Sequence, residues 1–303
     1  MFTQEDAMKK KIIFEGAATA LITPTTEEGI DYESFGRLID WQIEEGINAL
    51  VICGTSGESS TLSDEEHKSA ISFAVERAAG RVPIIAGTGS NETSYAIELT
   101  KYAYQAGADA ALVVTPYYNK ATQNGLVKTY NAIADSADIP IIVYNVPSRT
   151  GTNIEPATYA KMAEHQNIVA IKEANSNISK IVETMSIVGD QLTLYSGNDD
   201  QIVPLLSVGG KGVISVLSNI LPAQTRRIVD AYLEGNLQES IDLQFKYFAL
   251  IKALFSEVNP IPVKAAAAAM GMCKNYLRLP LTTMEETHYQ ALLSEMRRVG
   301  IEV

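Results

Sequence analysis

The sequence has few of the residues that form disulfide frameworks or metal centres. Its two cysteines, Cys53 and Cys273, lie far apart and show no CxxC spacing, which argues against disulfides and leads us to expect a cytoplasmic protein. The three histidines, His67, His165 and His288, stand alone without HxH or HxxxH spacing. Each falls in a polar helical stretch, so we interpret all three as solvated surface residues. We expect no metal and no cofactor, although the sequence does not exclude a magnesium site formed by carboxylates alone.

Positive charge and long apolar runs are also scarce. The 24 Lys and Arg residues are outnumbered by 36 Asp and Glu residues, which gives a formal net charge of -12. Such a chain lacks the basic patch that nucleic acids and anionic membranes require. No apolar run approaches the roughly 20 residues that cross a bilayer, and the acidic start lacks the apolar core of a signal peptide. We therefore expect neither partner, and translation could begin at Met1 or Met8.

The sequence does contain a regular alternation of short apolar runs and longer amphipathic stretches. Nearly all of the runs are apolar throughout, as in parallel strands that are buried on both faces. Flanking turn residues such as glycine, proline and asparagine mark where each run ends. The predicted strands span residues 18–24, 49–54, 83–89, 110–116, 140–147, 168–174, 192–198 and 212–218.

Eight strand–helix units within roughly 235 residues predict an α/β fold, a closed (β/α)8 TIM barrel. An open doubly wound sheet is the main alternative. However, its glycine-rich dinucleotide fingerprint is missing, because the first predicted strand ends in Thr23-Pro24-Thr25-Thr26. From residue 236 onward the pattern is helical without strands. We predict a catalytic barrel over 1–235 and a C-terminal helical domain over 236–303.

The sixth predicted strand ends in an unusual charge, Lys172. Lysine is almost never fully buried without a partner. Desolvation would lower the pKa of its ammonium group and make the amine a nucleophile near neutral pH. Alternatively, the stem of the side chain leans on the strand end while the charged head stays in water. The stretch by itself favours this structural interpretation.

Other polar residues follow the predicted strands where a barrel forms its active site. After the second strand, Thr55 and Ser56 lie between glycines, in a turn whose N–H groups and hydroxyls could hold a carboxylate or phosphate. Tyr144 ends the fifth strand, and Arg149 in the next loop is suited to bidentate carboxylate binding. A plain turn and a solvated loop charge are equally compatible with these residues.

Two further pairs of residues have simpler interpretations. Tyr117 and Tyr118, after the fourth strand, are typical of core or interface positions. Asp199 and Asp200, after the seventh, are better explained as caps of the next helix than as metal ligands. Taken together, the strand ends place an amine, a phenol, hydroxyls and a carboxylate clamp on one face. This set favours a Schiff base with a 2-oxo acid, followed by carbon–carbon bond formation or cleavage.

Six segments make the chain resemble the 4-hydroxy-tetrahydrodipicolinate (dihydrodipicolinate) synthase family. They are GTSGES (54–59), VTPYYN (114–119), YNVPSRTG (144–151), IKEA (171–174), GVISV (212–216) and NPIPVK (259–264). The resemblance runs from about residue 16 to the C-terminus, with the motifs in the family's order. It implies a pyruvate Schiff base on Lys172 and condensation with L-aspartate 4-semialdehyde, in the diaminopimelate route to lysine.

The resemblance also implies roles for individual residues. In the family, the residue matching Tyr144 relays protons with those matching Thr55 and Tyr118. The residue matching Tyr118 comes from the adjacent subunit, so a complete site needs at least a dimer, and the family is usually tetrameric. We therefore expect a homotetramer.

The same resemblance implies which residues bind the substrates. Thr55 and Ser56 match the loop that holds the pyruvate carboxylate, while Gly197 and Ile214 match positions that line the site through backbone groups. Arg149 matches the clamp for the semialdehyde carboxylate. N-acetylneuraminate lyases and sugar-acid aldolases share the lysine and the tyrosine, but the neuraminate lyases have an apolar or small stretch in place of this arginine. A non-catalytic barrel that binds a 2-oxo acid is the remaining alternative, and it would need no proton relay.

One departure from the family concerns regulation. Feedback-inhibited members bind lysine with an acid at the position of Tyr95, and a histidine is common at the position of Asp64. Asn91 and Tyr117 still match the family pattern. Losing the acid removes a partner for the lysine ammonium group, so we expect weak or absent inhibition by lysine.

Overall fold

Eight short parallel strands close on themselves in the computed structural model, which describes residues 10–303. Each strand pairs with the next along the chain and the last pairs with the first, so the sheet has no free edge. The predicted TIM barrel is confirmed, and the open doubly wound alternative is wrong. The barrel strands are β1 Gly16–Ala20, β2 Ala49–Ile52, β3 Ile84–Gly87, β4 Ala110–Val114, β5 Ile141–Asn145, β6 Ile168–Glu173, β7 Thr193–Ser196 and β8 Gly212–Ser215.

Seven of the strands begin within one residue of their predicted starts and end one to three residues early, whereas the first strand is shifted as a whole. It begins at Gly16 and ends at Ala20, earlier than the predicted 18–24. Its small residues let β8 and β2 approach on either side. The chain then enters a hairpin in which Thr25–Thr26 pairs antiparallel with Gly29–Ile30. Apolarity alone could not show where the chain leaves the barrel, because the residues that follow β1 are equally buried.

A helix follows every strand and packs on the outside of the barrel. The second helix begins with a capping box, since Ser63 Oγ accepts from Glu66 N at 3.2 Å and Ser63 N donates to Glu66 Oε2 at 2.9 Å. The barrel helices are α1 Tyr32–Glu44, α2 Asp64–Ala78, α3 Thr93–Ala106, α4 Gln123–Ala134, α5 Pro156–Ala163, α6 Ile178–Val188, α7 Ile202–Leu206 and α8 Pro222–Leu233.

Three C-terminal helices complete the described chain: α9 Leu237–Leu254, α10 Ile261–Ala269 and α11 Glu286–Arg298. The expected C-terminal helical segment is therefore confirmed. α9 packs against α8 and α11, and α10 is almost wholly buried. The boundary between residues 235 and 236 stays a prediction, and the choice between Met1 and Met8 lies outside the described residues. Within 10–303, every helix is too short or too polar to cross a membrane.

Aromatic residues close the amino end of the barrel. The ring of Phe14 stacks on that of Tyr195, with centroids 4.2 Å apart. The Tyr195 hydroxyl donates to the Phe14 carbonyl at 2.8 Å. Above them the interior is filled mainly by small and branched apolar side chains of the other strands. The space that remains lies at the carboxyl end.

Barrel closure brings two glycine backbones together. Gly16 of β1 pairs in register with Gly212 of β8. A Cβ atom on Gly212 would lie 2.1 Å from the Gly16 carbonyl oxygen, so no side chain fits without separating the two strands.

We expect Gly212→Ala to lower the free energy of unfolding by about 3 kcal/mol or more, because the clash is with backbone. The matched control is Gly209→Ala, three residues earlier, where a Cβ meets no atom within 4 Å. Its positive φ of 94° should cost only about 1–2 kcal/mol. Urea unfolding measures both, and equal losses would contradict the closure argument.

Candidate active site

Lys172 and Tyr144 lie side by side inside the carboxyl end of the barrel. They are direct partners in the pairing of β6 with β5, so their side chains point to the same face. The Lys172 Nζ atom lies 4.2 Å from the centroid of the Tyr144 ring. Lys172 is 5% exposed and Tyr144 6%. The interpretation of Lys172 as a strand-end lysine with a solvated head is therefore wrong.

The surroundings of Lys172 favour its neutral amine. Burial lowers its pKa from 10.5 to about 7. The negative charge of Asp199 opposes this effect, and the positive charge of Arg149 adds to it. Just above neutral pH, most of the amine therefore carries a free electron pair and can attack a carbonyl carbon.

Tyr144 has the opposite tendency. Burial raises the pKa of its phenol, while the Thr55 hydroxyl and the Arg149 charge partly offset this increase. The phenol therefore keeps its proton at neutral pH and can donate it. An amine without its extra proton and a phenol with its proton are the two forms that imine formation requires.

A cavity of about 180 Å³ opens beside the two side chains. That volume equals about six waters at liquid density, which suits a small organic acid. Its lining includes six of the predicted site residues: Thr55, Ser56, Tyr144, Arg149, Lys172 and Gly197. Ile214 is buried in the barrel interior and does not line the cavity, whereas Val216, two residues later, does.

Gly197 leaves room for the lysine. A Cβ atom there would lie 2.9 Å from the Ala174 Cβ and 3.2 Å from the Lys172 Cε. Any larger residue would push the amine away from the cavity.

Tyr118 is not part of the cavity of its own chain. Its side chain is 92% exposed, on the loop after β4. Its backbone has a φ of 72°, a left-handed conformation that is strained for an aromatic residue. Within one chain, the structure thus brings Thr55 and Tyr144 together but leaves Tyr118 in solvent.

Sequence reasoning misassigned Asp199. The expected helix cap is wrong, because Asp199 Oδ2 accepts from the backbone N–H groups of Val216 and Leu217, both at 2.9 Å. The side chain is 2% exposed and joins the loop after β7 to the loop after β8. An acid before a helix is typical of a cap, and nothing local in the sequence indicates a partner 17 residues away.

Asn259 is a site residue that appeared in the sequence only as part of a motif. Its Nδ2 donates to Ser56 Oγ at 3.0 Å, and its backbone carbonyl accepts from Arg149 Nη2 at 3.2 Å. Asn259, two residues before α10 begins, therefore contacts both loops that are candidates for carboxylate binding. No spacing rule could have revealed a link over 203 residues.

Behind the cavity, Glu173 and Asn145 form a polar pair on the outer face of the same two strands. Asn145 Nδ2 donates to Glu173 Oε1 at 3.0 Å, and Tyr159 donates to Oε2 at 3.2 Å. Burial raises the pKa of Glu173 to about 7. This pair is adjacent to Tyr144 and Lys172 in the strand register and supports their alignment.

The expectation that all histidines are solvated is wrong for His67. It is 4% exposed, and its Nε2 lies 2.7 Å from the Gly87 carbonyl oxygen. His165 and His288 instead pair with Asp135 and Glu257 at the surface. Among residues 10–303, no group of three or more His, Cys, Asp or Glu side chains could hold a metal ion.

A family model described as the dihydrodipicolinate synthetase family matches residues 13–298. The chain belongs to this family. Over 292 residues it is 54% identical to the 4-hydroxy-tetrahydrodipicolinate synthase of Acetivibrio thermocellus, covering 96% of this chain and 99% of that protein. The family resemblance expected from the six motifs is confirmed.

Solved members of the family share the fold throughout. The dihydrodipicolinate synthase of Aquifex aeolicus superposes with a TM-score of 0.94 at 44% identity, covering 95% of this chain and 99% of that one. The chloride-inhibited enzyme of Acinetobacter baumannii, complexed with pyruvate, gives a TM-score of 0.94 at 42% identity, covering 96% and 100%.

The lowered pKa of Lys172 predicts its titration. In protein labelled with 13C-lysine, we expect one Cε resonance to titrate with a midpoint near 7 and to be missing from Lys172→Met. That variant also separates Lys172 from Lys10, whose pKa burial lowers to about 8. At pH 8 roughly nine-tenths of the Lys172 amine would be neutral, against under one-hundredth for an ordinary lysine. A midpoint above 9 would contradict the desolvation argument.

Proposed function

We propose that the chain condenses pyruvate with L-aspartate 4-semialdehyde to give 4-hydroxy-tetrahydrodipicolinate, in the diaminopimelate route to lysine. The proposal rests on the buried, largely neutral amine of Lys172 against the Tyr144 ring, in a chain whose relatives bear the synthase name. No metal or cofactor takes part in the proposed reaction. The cytoplasmic location stays a prediction.

The first half-reaction forms the imine. Thr55 and Ser56 hold the pyruvate carboxylate, and the Lys172 amine attacks C2. Proton transfer through Tyr144 and Thr55 lets the C2 oxygen leave as water, and a protonated imine remains. Because the imine withdraws electrons, the neighbouring methyl group loses a proton and becomes the nucleophilic carbon of an enamine.

The second half-reaction forms the new carbon–carbon bond. The enamine carbon attacks the aldehyde of the semialdehyde, and the aldehyde oxygen takes a proton and becomes a hydroxyl. The amino group of the semialdehyde then attacks the imine carbon and displaces Lys172, which closes the ring and restores the free amine. One water molecule leaves overall, so the atoms of both substrates are accounted for.

Arg149 distinguishes this proposal from the related aldolases. It lies on the one-turn helix Pro147–Thr150 that follows β5, and its exposed guanidinium reaches the cavity mouth. A cation there suits a second substrate that carries a carboxylate. The alternative is another pyruvate-dependent aldolase activity, which would use Lys172 and Tyr144 in the same way. The position of Arg149 does not favour that activity.

We infer that the working form is an oligomer, a dimer of dimers. Tyr118 is almost fully exposed in a strained backbone conformation, which supports a role completed by a neighbouring subunit. In that arrangement its phenol extends the proton relay of Tyr144 and Thr55.

The test of the function is product formation from pyruvate plus the semialdehyde, compared with cleavage of N-acetylneuraminate by the same preparation. We expect the first activity and not the second. Activity with N-acetylneuraminate alone would establish the alternative, and pyruvate binding without turnover of either would indicate a binding protein.

For Arg149→Ala we expect normal formation of the pyruvate adduct, measured by borohydride trapping, with a rise of roughly 10–100-fold in KM for the semialdehyde. Arg227→Ala, a surface arginine of α8, is the control and should leave both unchanged. If trapping and semialdehyde use fell equally, the assigned role would be wrong.

We expect lysine to inhibit weakly or not at all. The Tyr95 hydroxyl donates to Asp64 at 3.1 Å, and Asp64 already pairs with Lys68 at 2.8 Å. A lysine ammonium group would therefore meet a phenol and a carboxylate that is already paired. Steady-state assays with added lysine measure this, and half-inhibition below 1 mM, which corresponds to a binding free energy of about 4 kcal/mol or more, would overturn it.

A further inference from the structure

A buried ion pair connects the C-terminal helices to the turn after β2. Lys264 of α10 is 0% exposed, and its Nζ donates to Glu58 Oε1 at 2.5 Å and to Thr25 Oγ1 at 2.8 Å. Glu58 is 4% exposed and lies 206 residues away in sequence. Neither Lys264 nor Glu58 lines the cavity beside Lys172.

Stability alone is a poor explanation for this pair. Removing two charges from water is costly, and well-packed apolar residues of similar volume are often as stabilising or more so. The second carboxylate oxygen, Glu58 Oε2, has no hydrogen-bond partner within residues 10–303. A pair retained in spite of an unsatisfied oxygen calls for another role.

The turn that Glu58 belongs to contains Thr55 and Ser56. Glu58 N donates to the Thr55 carbonyl at 3.2 Å, so the backbone position of Glu58 bears directly on that of Thr55. Glu58 has a φ of 54°, a left-handed conformation that persists in non-glycine residues only where the surroundings enforce it. The Lys264 ammonium group is the charged contact that supplies this constraint.

A second contact from the same segment acts in the same direction. Asn259, which precedes α10, donates to the Ser56 hydroxyl at 3.0 Å. The start of α10 and its buried lysine thus hold the turn at two points, one on each side of Gly57.

We propose that Lys264 and Glu58 are positioning residues that fix the 54–59 turn, so that Thr55 and Ser56 are preorganised for the carboxylate of a 2-oxo acid. The inference rests on the proposed function and adds that the affinity for pyruvate is set from α10. Neither residue touches the substrate, so the chemistry on Lys172 is retained when the pair is lost.

The test is the double variant Glu58→Gln with Lys264→Met, which removes both charges and keeps similar shapes. We expect a folded protein whose half-saturation by pyruvate in borohydride trapping rises roughly tenfold or more, since small misplacement of binding groups has effects of this order. Trapping at saturating pyruvate should still label Lys172 fully, and KM for the semialdehyde should change little.

Two further variants make the result interpretable. Glu15→Gln with Lys211→Met removes an exposed ion pair of 3.1 Å at the opposite end of the barrel and should leave pyruvate half-saturation unchanged. Glu58→Asp keeps the charge on a shorter stem and should give an intermediate shift, which provides a test if the double variant does not fold.

Unchanged half-saturation in the folded double variant would overturn the inference, and so would equal losses in kcat and in both KM values. If the unmodified protein forms no pyruvate adduct at all, the proposed function itself is refuted. An adduct in the unmodified protein with no shift in the variants would refute only the role of Lys264 and Glu58.

Discussion

The desolvation of one lysine amine is the interaction on which the site depends. A fall in the pKa of Lys172 from 10.5 to about 7 corresponds to about 5 kcal/mol against its charged form. In exchange, the amine is available as a nucleophile at the pH of the cell. The closed barrel makes this possible, because its interior excludes water on every side except the carboxyl end, where the cavity lies.

The site is assembled from segments that are remote in sequence. β6 provides the amine and β5 the phenol, and their register places Lys172 opposite Tyr144. The turn after β2 contributes hydroxyls, and the one-turn helix after β5 contributes the arginine. Asn259 contacts the last two of these, and Asp199 joins the loops after β7 and β8. The C-terminal helices therefore belong to the architecture of the site as much as the barrel does.

The sequence allowed the barrel to be predicted because apolar runs, turns and caps are local signals, and eight of them in order leave few topologies. It could not decide the burial of Lys172, because that depends on Tyr144, 28 positions earlier and on another strand. Asp199 and His67 were misassigned for the same reason, since their partners come from neighbouring loops and strands. Lys264 lies in an alanine-rich stretch that indicates close packing but gives no sign of the acid it meets. Family motifs supplied the roles that spacing left open, and the role proposed for Tyr118 requires a neighbouring subunit.

The most direct test of the account is to locate the covalent adduct. The protein is reduced with borohydride in the presence of pyruvate, digested, and mapped by mass spectrometry, with Lys172→Arg as the comparison. We expect one pyruvyl group per chain, on Lys172, and none in the variant. An adduct on another lysine, or none at saturating pyruvate, would contradict it.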